Sequence, residues 1–150
     1  MANESAAPTG YHTVQPYLIF KNTRAAIDFY TRVFGATERM CMEREGRVQH
    51  AELLIGDSCV MMADENPAFR AFSPPHYGGS PISMMLYVAD CDSTYTTAVA
   101  AGATSLSEPA DQPHGARAAM VVDPFGYSWY VAQHLRDLSP AELEAMMKGS

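Results

Sequence analysis

The spacing of apolar residues changes period along the chain, and each change marks an element. From Val14 to Phe20 the run VQPYLIF is apolar and rich in strand formers, which predicts a strand. In the following NTRAAIDFYTRVFG, apolar residues recur at Ala26, Ile27, Tyr30, Val33 and Phe34, the helical period. Asn22 or Thr23 stands ready as N-cap, and Gly35 as terminator. Then come ATERMCMERE, a turn at Gly46, RVQHAELLIG, a turn at Gly56-Asp57, and SCVMMAD, which read as three strands joined by tight turns.

The segment from Glu65 to Pro81 is rich in proline and glycine and shows no period, so it reads as a linker. After it the pattern starts again. Ile82 to Val88 is a strand, and CDSTYTTAVAAG is a helix capped by Asp90 or Asp92 and ended by Gly102. ATSLSEP, ARAAMVVDP and SWYVAQH follow as three more strands. Gly35-Ala36-Thr37 recurs as Gly102-Ala103-Thr104, and GDSCVMM is answered by GYSWYVA. Two βαβββ modules, about 13–64 and 82–135 with the linker 65–81 between them, describe this most economically as one α+β domain over 13–135. Residues 1 to 12 are small, polar and punctuated by Gly and Pro, and are expected to be a disordered lead. Over 136–150, Ser139-Pro140-Ala141-Glu142 is a capping box with proline at the first helical position, which predicts a C-terminal helix.

Composition narrows the class. At 150 residues, 47% hydrophobic and 18% charged, the chain can bury a single core. A formal net charge of -7 repels phosphate backbones and anionic lipid surfaces, so no nucleic-acid or membrane partner is expected. No stretch approaches the roughly 20 apolar residues of a membrane helix, and MANESAAPTGYHT lacks a basic region followed by an apolar run. Cys41, Cys59 and Cys91 are odd in number and lack CxxC spacing, which fits reduced thiols in a cytoplasm.

At AIDFYTRVFGA, GDSCVMMADE, AVAAGAT and DPFGYSW the sequence resembles the vicinal-oxygen-chelate superfamily, which includes glyoxalases, bleomycin-resistance proteins and dioxygenases. The resemblance covers about Thr13 to His134. QPYL, RVQHAELLIGDSCVMMADE, the GGSP before the fifth strand, and DPFGYSWYVAQH with its Ser-Pro-capped helix are similar to the branch called 3-demethylubiquinone methyltransferase-like, or PhnB-like. A methyltransferase activity is not implied, because no glycine-rich nucleotide loop lies between a strand and a helix. The resemblance implies a curved, cup-shaped mixed sheet built from both modules, holding a metal and a small ligand. The family's metal ligands, usually His then Glu from each module, fall here at Gln15, Met61, Ser83 and Tyr130. An amide, a thioether, a hydroxyl and a phenol offer no imidazole or carboxylate, so the standard metal site is expected to be absent.

Strand alternation then sorts the candidates. If Ala51, Leu53 and Ile55 face the helix, His50, Glu52 and Leu54 face the cup. His50 and Glu52 could serve as general base and orienter, or seed a relocated metal site; the alternative is a structural pair. Gln15, Tyr17 and Ile19 on the first strand, Ser83, Met85 and Tyr87 opposite, and Cys59, Met61, Ser128 and Tyr130 make a mostly apolar wall with polar handles, or else plain core. Arg117 could pair with an anionic ligand group, or be a solvated surface residue.

The expected function is that of a small-molecule binding protein, a homodimer without cofactor. The competing expectation is a lyase, isomerase, dioxygenase or transferase using a divalent metal around His50 and Glu52. A dimer without ligand is a third.

Overall fold

The computed structural model describes residues 6–149. Of the lead expected over residues 1 to 12, the first five lie outside the described residues. The chain divides into two compact units, Met1–Tyr77 and Gly78–Ser150.

In the first unit, β1 (Tyr17–Phe20) is followed by α1 (Thr23–Phe34), β2 (Thr37–Arg44), β3 (Arg47–Ile55) and β4 (Ser58–Asp64). The strand order is β1-β4-β3-β2, with β1 parallel to β4 and the other pairs antiparallel. Helix α1 starts where the Asn22 side chain accepts from Ala25 N (3.1 Å), and it stops at Gly35, whose φ of 67° a side chain would strain. Its buried face (Ala26, Ile27, Phe29, Tyr30, Val33) covers one side of the sheet. There Phe20, Tyr30, Leu53 and Met62 are wholly buried, each contributing about 2–3 kcal/mol of apolar burial. The strand expected from Val14 begins only at Tyr17. Pro16 has no N–H for a ladder, and its carbonyl already accepts from Met61 N (2.9 Å).

The second unit repeats the order: β5 (Ser83–Tyr87), α3 (Cys91–Ala100), β6 (Thr104–Asp111), β7 (Ala116–Val122) and β8 (Ser128–His134), in strand order β5-β8-β7-β6 with β5 parallel to β8. Asp90 is the N-cap of α3, accepting from Ser93 N (3.0 Å). The α+β class and the two βαβββ modules are as the sequence pattern predicts. The segment between the modules carries more structure than its composition suggests: a 3-10 turn at Pro67–Phe69 and a one-turn helix α2 at Pro74–Tyr77, each begun by a proline whose fixed φ suits a first helical position. The capping box at Ser139 forms and starts α4 (Pro140–Lys148).

The core of the second unit is tied by one carboxylate. Asp123 is buried between β7 and β8, and it accepts from Phe125 N (2.9 Å), Tyr127 N (3.0 Å) and the Trp129 indole N–H (2.8 Å). Those bonds fix the Pro124–Gly126 turn and seat Trp129, which is 2% exposed. Asp123→Ala leaves these donors unmet in a dry site and should cost about 2–4 kcal/mol in urea unfolding monitored by tryptophan fluorescence. A loss under about 0.5 kcal/mol, typical of surface positions, would contradict this role.

Candidate functional site

The face of the first sheet opposite α1 carries the charged groups. Register places His50, Glu52 and Leu54 of β3 on it, in line with Met42, Met61 and Cys59, while Ala51, Leu53 and Ile55 point to the helix side. Tyr17 of β1 pairs with Met61 of β4 and joins the same face. The alternation expected from sequence holds from His50 to Ile55; below it a register shift leaves Gln49 as an extra residue on β3.

On that face the side chains form a directed chain of hydrogen bonds. Glu52, 3% exposed, receives the Tyr11 hydroxyl at 2.9 and 3.1 Å and lies 3.0 Å from His50 Nε2. Arg39 Nε is 3.6 Å away. His50 Nδ1 is in turn 2.8 Å from the Tyr17 hydroxyl, and the two rings tilt together with centroids 5.6 Å apart. Burial alone would push the Glu52 carboxyl up, but the hydrogen bonds from His50 and Tyr11, the charge His50 carries when its ring is protonated, and the charge of Arg39 outweigh it, holding Glu52 below the usual carboxylate range.

An ionised carboxylate only accepts. The Tyr11 hydroxyl therefore donates, and His50 Nε2 must carry a proton. In a neutral ring this leaves Nδ1 as an acceptor, so Tyr17 donates its proton inward to His50. The outward side of the Tyr17 oxygen is then lone pairs. Partial burial, and next the charge of Glu52, raise the Tyr17 phenol, so it keeps its proton. Tyr17 is 48% exposed and lines a cleft of about 370 Å³ with the apolar residues Ile19, Val48, Ala63 and Phe69 and the polar residues Arg47, Gln49, Asp64 and Asn66.

Two members of this cluster escape sequence reasoning. Tyr11 falls within the expected lead, yet Pro8 to Tyr11 make a turn (Tyr11 N to Pro8 O, 3.1 Å) that lays its ring under the Arg39 guanidinium, 4.3 Å from the centroid. Gly10 has φ of 87°, and its carbonyl accepts from Arg39 (3.2 Å). Arg39 reaches this face because β2 bulges there: Glu38 pairs with Leu53 and Met40 with Glu52, leaving Arg39 as the extra residue. The only sequence signal was weak, a lone tyrosine beside a glycine just before the first strand.

The other expected residues are distributed as follows. Gln15 lies before β1, and its side-chain oxygen accepts from His12 N (2.6 Å). Cys59 is buried, and burial followed by the charge of Glu52 raises its thiol, which leaves it a poor nucleophile. In the second unit, Met85 pairs with Tyr130, and Ser83 with Ser128, on the face away from α3; Ser83, Met85 and Tyr87 are exposed there. Burial raises the Tyr130 phenol. Arg117 points the other way, gripping Asp92 of α3 with two bonds (2.6 and 2.9 Å) and Asp111 with a third (3.0 Å). It acts there as a clamp between β7 and α3.

The positions that the family resemblance led us to expect as metal ligands are Gln15 and Met61 in the first unit and Ser83 and Tyr130 in the second. They do not fit a divalent cation: the amide oxygen of Gln15 is engaged, Met61 is a thioether, Ser83 is a neutral hydroxyl, and the Tyr130 phenol is held protonated. Among the described residues no three His, Cys, Asp or Glu side chains gather in a metal-holding group.

The Glu52 network makes a pH prediction. Its carboxyl is more acidic folded than unfolded, so its contribution to stability is present above the ordinary carboxylate range and lost as pH falls through the depressed folded value. Glu52→Gln should therefore lower stability near neutrality by about 1–3 kcal/mol and shrink the loss of stability between about pH 6 and pH 3. Urea unfolding across that range checks both, and an acid limb as steep as that of the parent would refute the assignment.

Comparison with known proteins follows the same lines. Residues 11–131 match the family model described as Glyoxalase/Bleomycin resistance protein/Dioxygenase superfamily. An uncharacterized protein of Mycobacterium bovis is 34% identical over 138 residues, covering 89% of this chain and 91% of its own length. The crystal structure of TioX from Micromonospora sp. ML1 matches with a TM-score of 0.63 at 24% identity, over 85% of this chain and 100% of that one. A Bacillus cereus PhnB protein, titled a putative 3-demethylubiquinone-9 3-methyltransferase, matches with a TM-score of 0.64 at 19% identity, over 81% of this chain and 99% of that one; at these identities the two structures speak to the fold. No helix among the described residues is long and apolar enough to cross a membrane. The chain belongs to the glyoxalase/bleomycin resistance protein/dioxygenase superfamily.

Proposed function

We propose that this protein binds a small molecule against the open face of the first sheet, without a metal at the family's usual positions. The observation that carries this reading is the hydrogen-bond chain Glu52–His50–Tyr17, which ends on a residue lining a cleft of about 370 Å³, within the size range of small-molecule sites. With the His50 ring neutral, Tyr17 donates inward and offers the ligand an acceptor. The ligand accordingly carries an N–H or O–H donor; Ile19, Val48, Ala63 and Phe69 accommodate its apolar part, and Arg47, Gln49, Asp64 and Asn66 of the same cleft face its other polar groups. Cys59 and Met61 back the same face, and the proposal extends to Ser83, Met85, Tyr87 and Tyr130 as ligand-facing residues of the second unit. A cytoplasmic homodimer without cofactor is part of the same reading: Met40 and Met42 on the outer strand β2, and Leu106 on β6, are apolar side chains left exposed beside unpaired edges.

A second reading, an acid–base enzyme centred on His50 and Glu52, is favoured by one specific feature. Hydroxyl, imidazole and carboxylate stand in the order that orients a catalytic histidine. The raised Tyr17 phenol weighs against it as a nucleophile.

A thermal-shift screen of neutral indoles, phenols and anilides should yield ligands whose affinity falls by about tenfold in Tyr17→Phe, the cost of one buried hydrogen bond, and which are released unchanged. Binding indifferent to both Tyr17→Phe and His50→Ala would sink the proposal. Turnover lost in His50→Ala would favour the enzyme. Elemental analysis of the purified protein should find transition metal well below one per chain, and a stoichiometric metal would overturn the metal-independent part.

A further inference from the structure

The second unit contains a cleft of about 420 Å³ that the Tyr17 chain does not explain. Its floor is the open side of the sheet, where Met85 and Tyr87 are 50% and 67% exposed over the small buried residues Ala116, Ala118 and Ala132. Leu143 of α4 supplies an apolar wall. His114, His134 and Arg136 also line it, a guanidinium and two imidazoles gathered beside Asp137 in a chain of net charge -7.

Backbone geometry holds these donors together. The Gly115 carbonyl accepts from Leu135 N (2.9 Å) and Arg136 N (3.1 Å), which joins the turn before β7 to the residues after β8. Gly115 has φ of 86°, and a Cβ there would lie 2.4 Å from the Arg136 carbonyl oxygen, so only glycine permits the approach. His114 and Arg136 are thus fixed on adjacent strand ends, and Ala116 pairs with His134.

The acidic neighbours leave the guanidinium with donors to offer. Asp137 is engaged by His134 (2.9 Å). Glu142 lies 3.7 Å from Arg136, beyond hydrogen-bond reach, and the same oxygen accepts from Ser139 N (2.9 Å) to close the α4 capping box. Arg136 is therefore a planar fork of donors, 60% exposed, at the head of an apolar slot.

We infer that this cleft binds a small organic anion, a carboxylate on a flat apolar body. The carboxylate takes the Arg136 fork with His114 beside it, while the body lies on Met85 and Tyr87 under Leu143. The cleft shares Met85 and Tyr87 with the ligand-facing residues proposed above, but the inference does not rest on the Tyr17 chain, which lies in the other unit and calls for a ligand donor rather than an anion.

The probes are 1-naphthoate and its neutral methyl ester, titrated into the full chain and followed by NMR. Naphthoate should shift the His114, His134 and Leu143 signals and leave those of His50 in place, with a dissociation constant on the order of millimolar or tighter. The ester should bind about tenfold more weakly, and Arg136→Gln should weaken naphthoate by about the same factor, the worth of a charge-assisted hydrogen bond. Leu143→Ser, at an exposed helix position, should weaken acid and ester alike. Each variant is first checked for an unchanged fold by its backbone spectrum. Equal binding of acid and ester, unchanged naphthoate affinity in Arg136→Gln, shifts confined to His50 and Tyr17, or no saturable shift at all would each overturn the inference.

Discussion

A carboxylate removed from water must be surrounded by donors, and Glu52 imposes that demand on one face of the first sheet. Because the ion only accepts, the protons of Tyr11 and His50 Nε2 must point at it. The remaining nitrogen of a neutral His50 has one role left, and it takes the Tyr17 proton. One buried charge thus decides the direction of every hydrogen bond out to a side chain that lines a cleft. The chemistry offered there, an acceptor on a half-exposed phenol, follows from a residue a ligand need not touch.

The fold supplies what this arrangement requires. Antiparallel pairing of β3 with β4 brings Glu52 beside Met61, and parallel pairing of β1 with β4 brings Tyr17 beside the same residue, so His50 and Tyr17 meet across β4. The bulge in β2 turns Arg39 toward Glu52, and the Gly10 turn returns the chain so that Tyr11 covers both. On the opposite side of the sheet, α1 and the buried residues Phe20, Tyr30, Leu53 and Met62 keep the strands in register. The second unit has the same βαβββ order but a different open face, where Met85 and Tyr87 share a cleft with His114, His134 and Arg136.

Most of the fold was legible because periodicity carries it. Asn22 and Asp90 cap the helices, Gly35 ends the first, and the matched Gly turns at Gly56 and Gly126 lead into β4 and β8. The placing of His50 and Glu52 on one face followed from counting by two along β3. What could not be read was where that count breaks. Pro16 delays the first strand and leaves Gln15 outside it, and the extra residue at Arg39 reverses which side that arginine faces. Tyr11 lies in a segment whose composition resembles a linker, and its role depends on a partner 41 residues away. Arg117 was legible as a charge but not as a clamp, because Asp92 meets it only once α3 packs on β7.

The account turns on the proton order of the Glu52–His50–Tyr17 chain, which nitrogen-15 NMR of the histidine ring reads directly. At a pH where the His50 ring is neutral, it should be the Nε2–H tautomer with a bare Nδ1 accepting a hydrogen bond, and Tyr17→Phe should remove that bond without changing the tautomer. An Nδ1–H tautomer, or an even mixture of the two, would mean that Glu52 does not order its neighbours, and the central claim would fail.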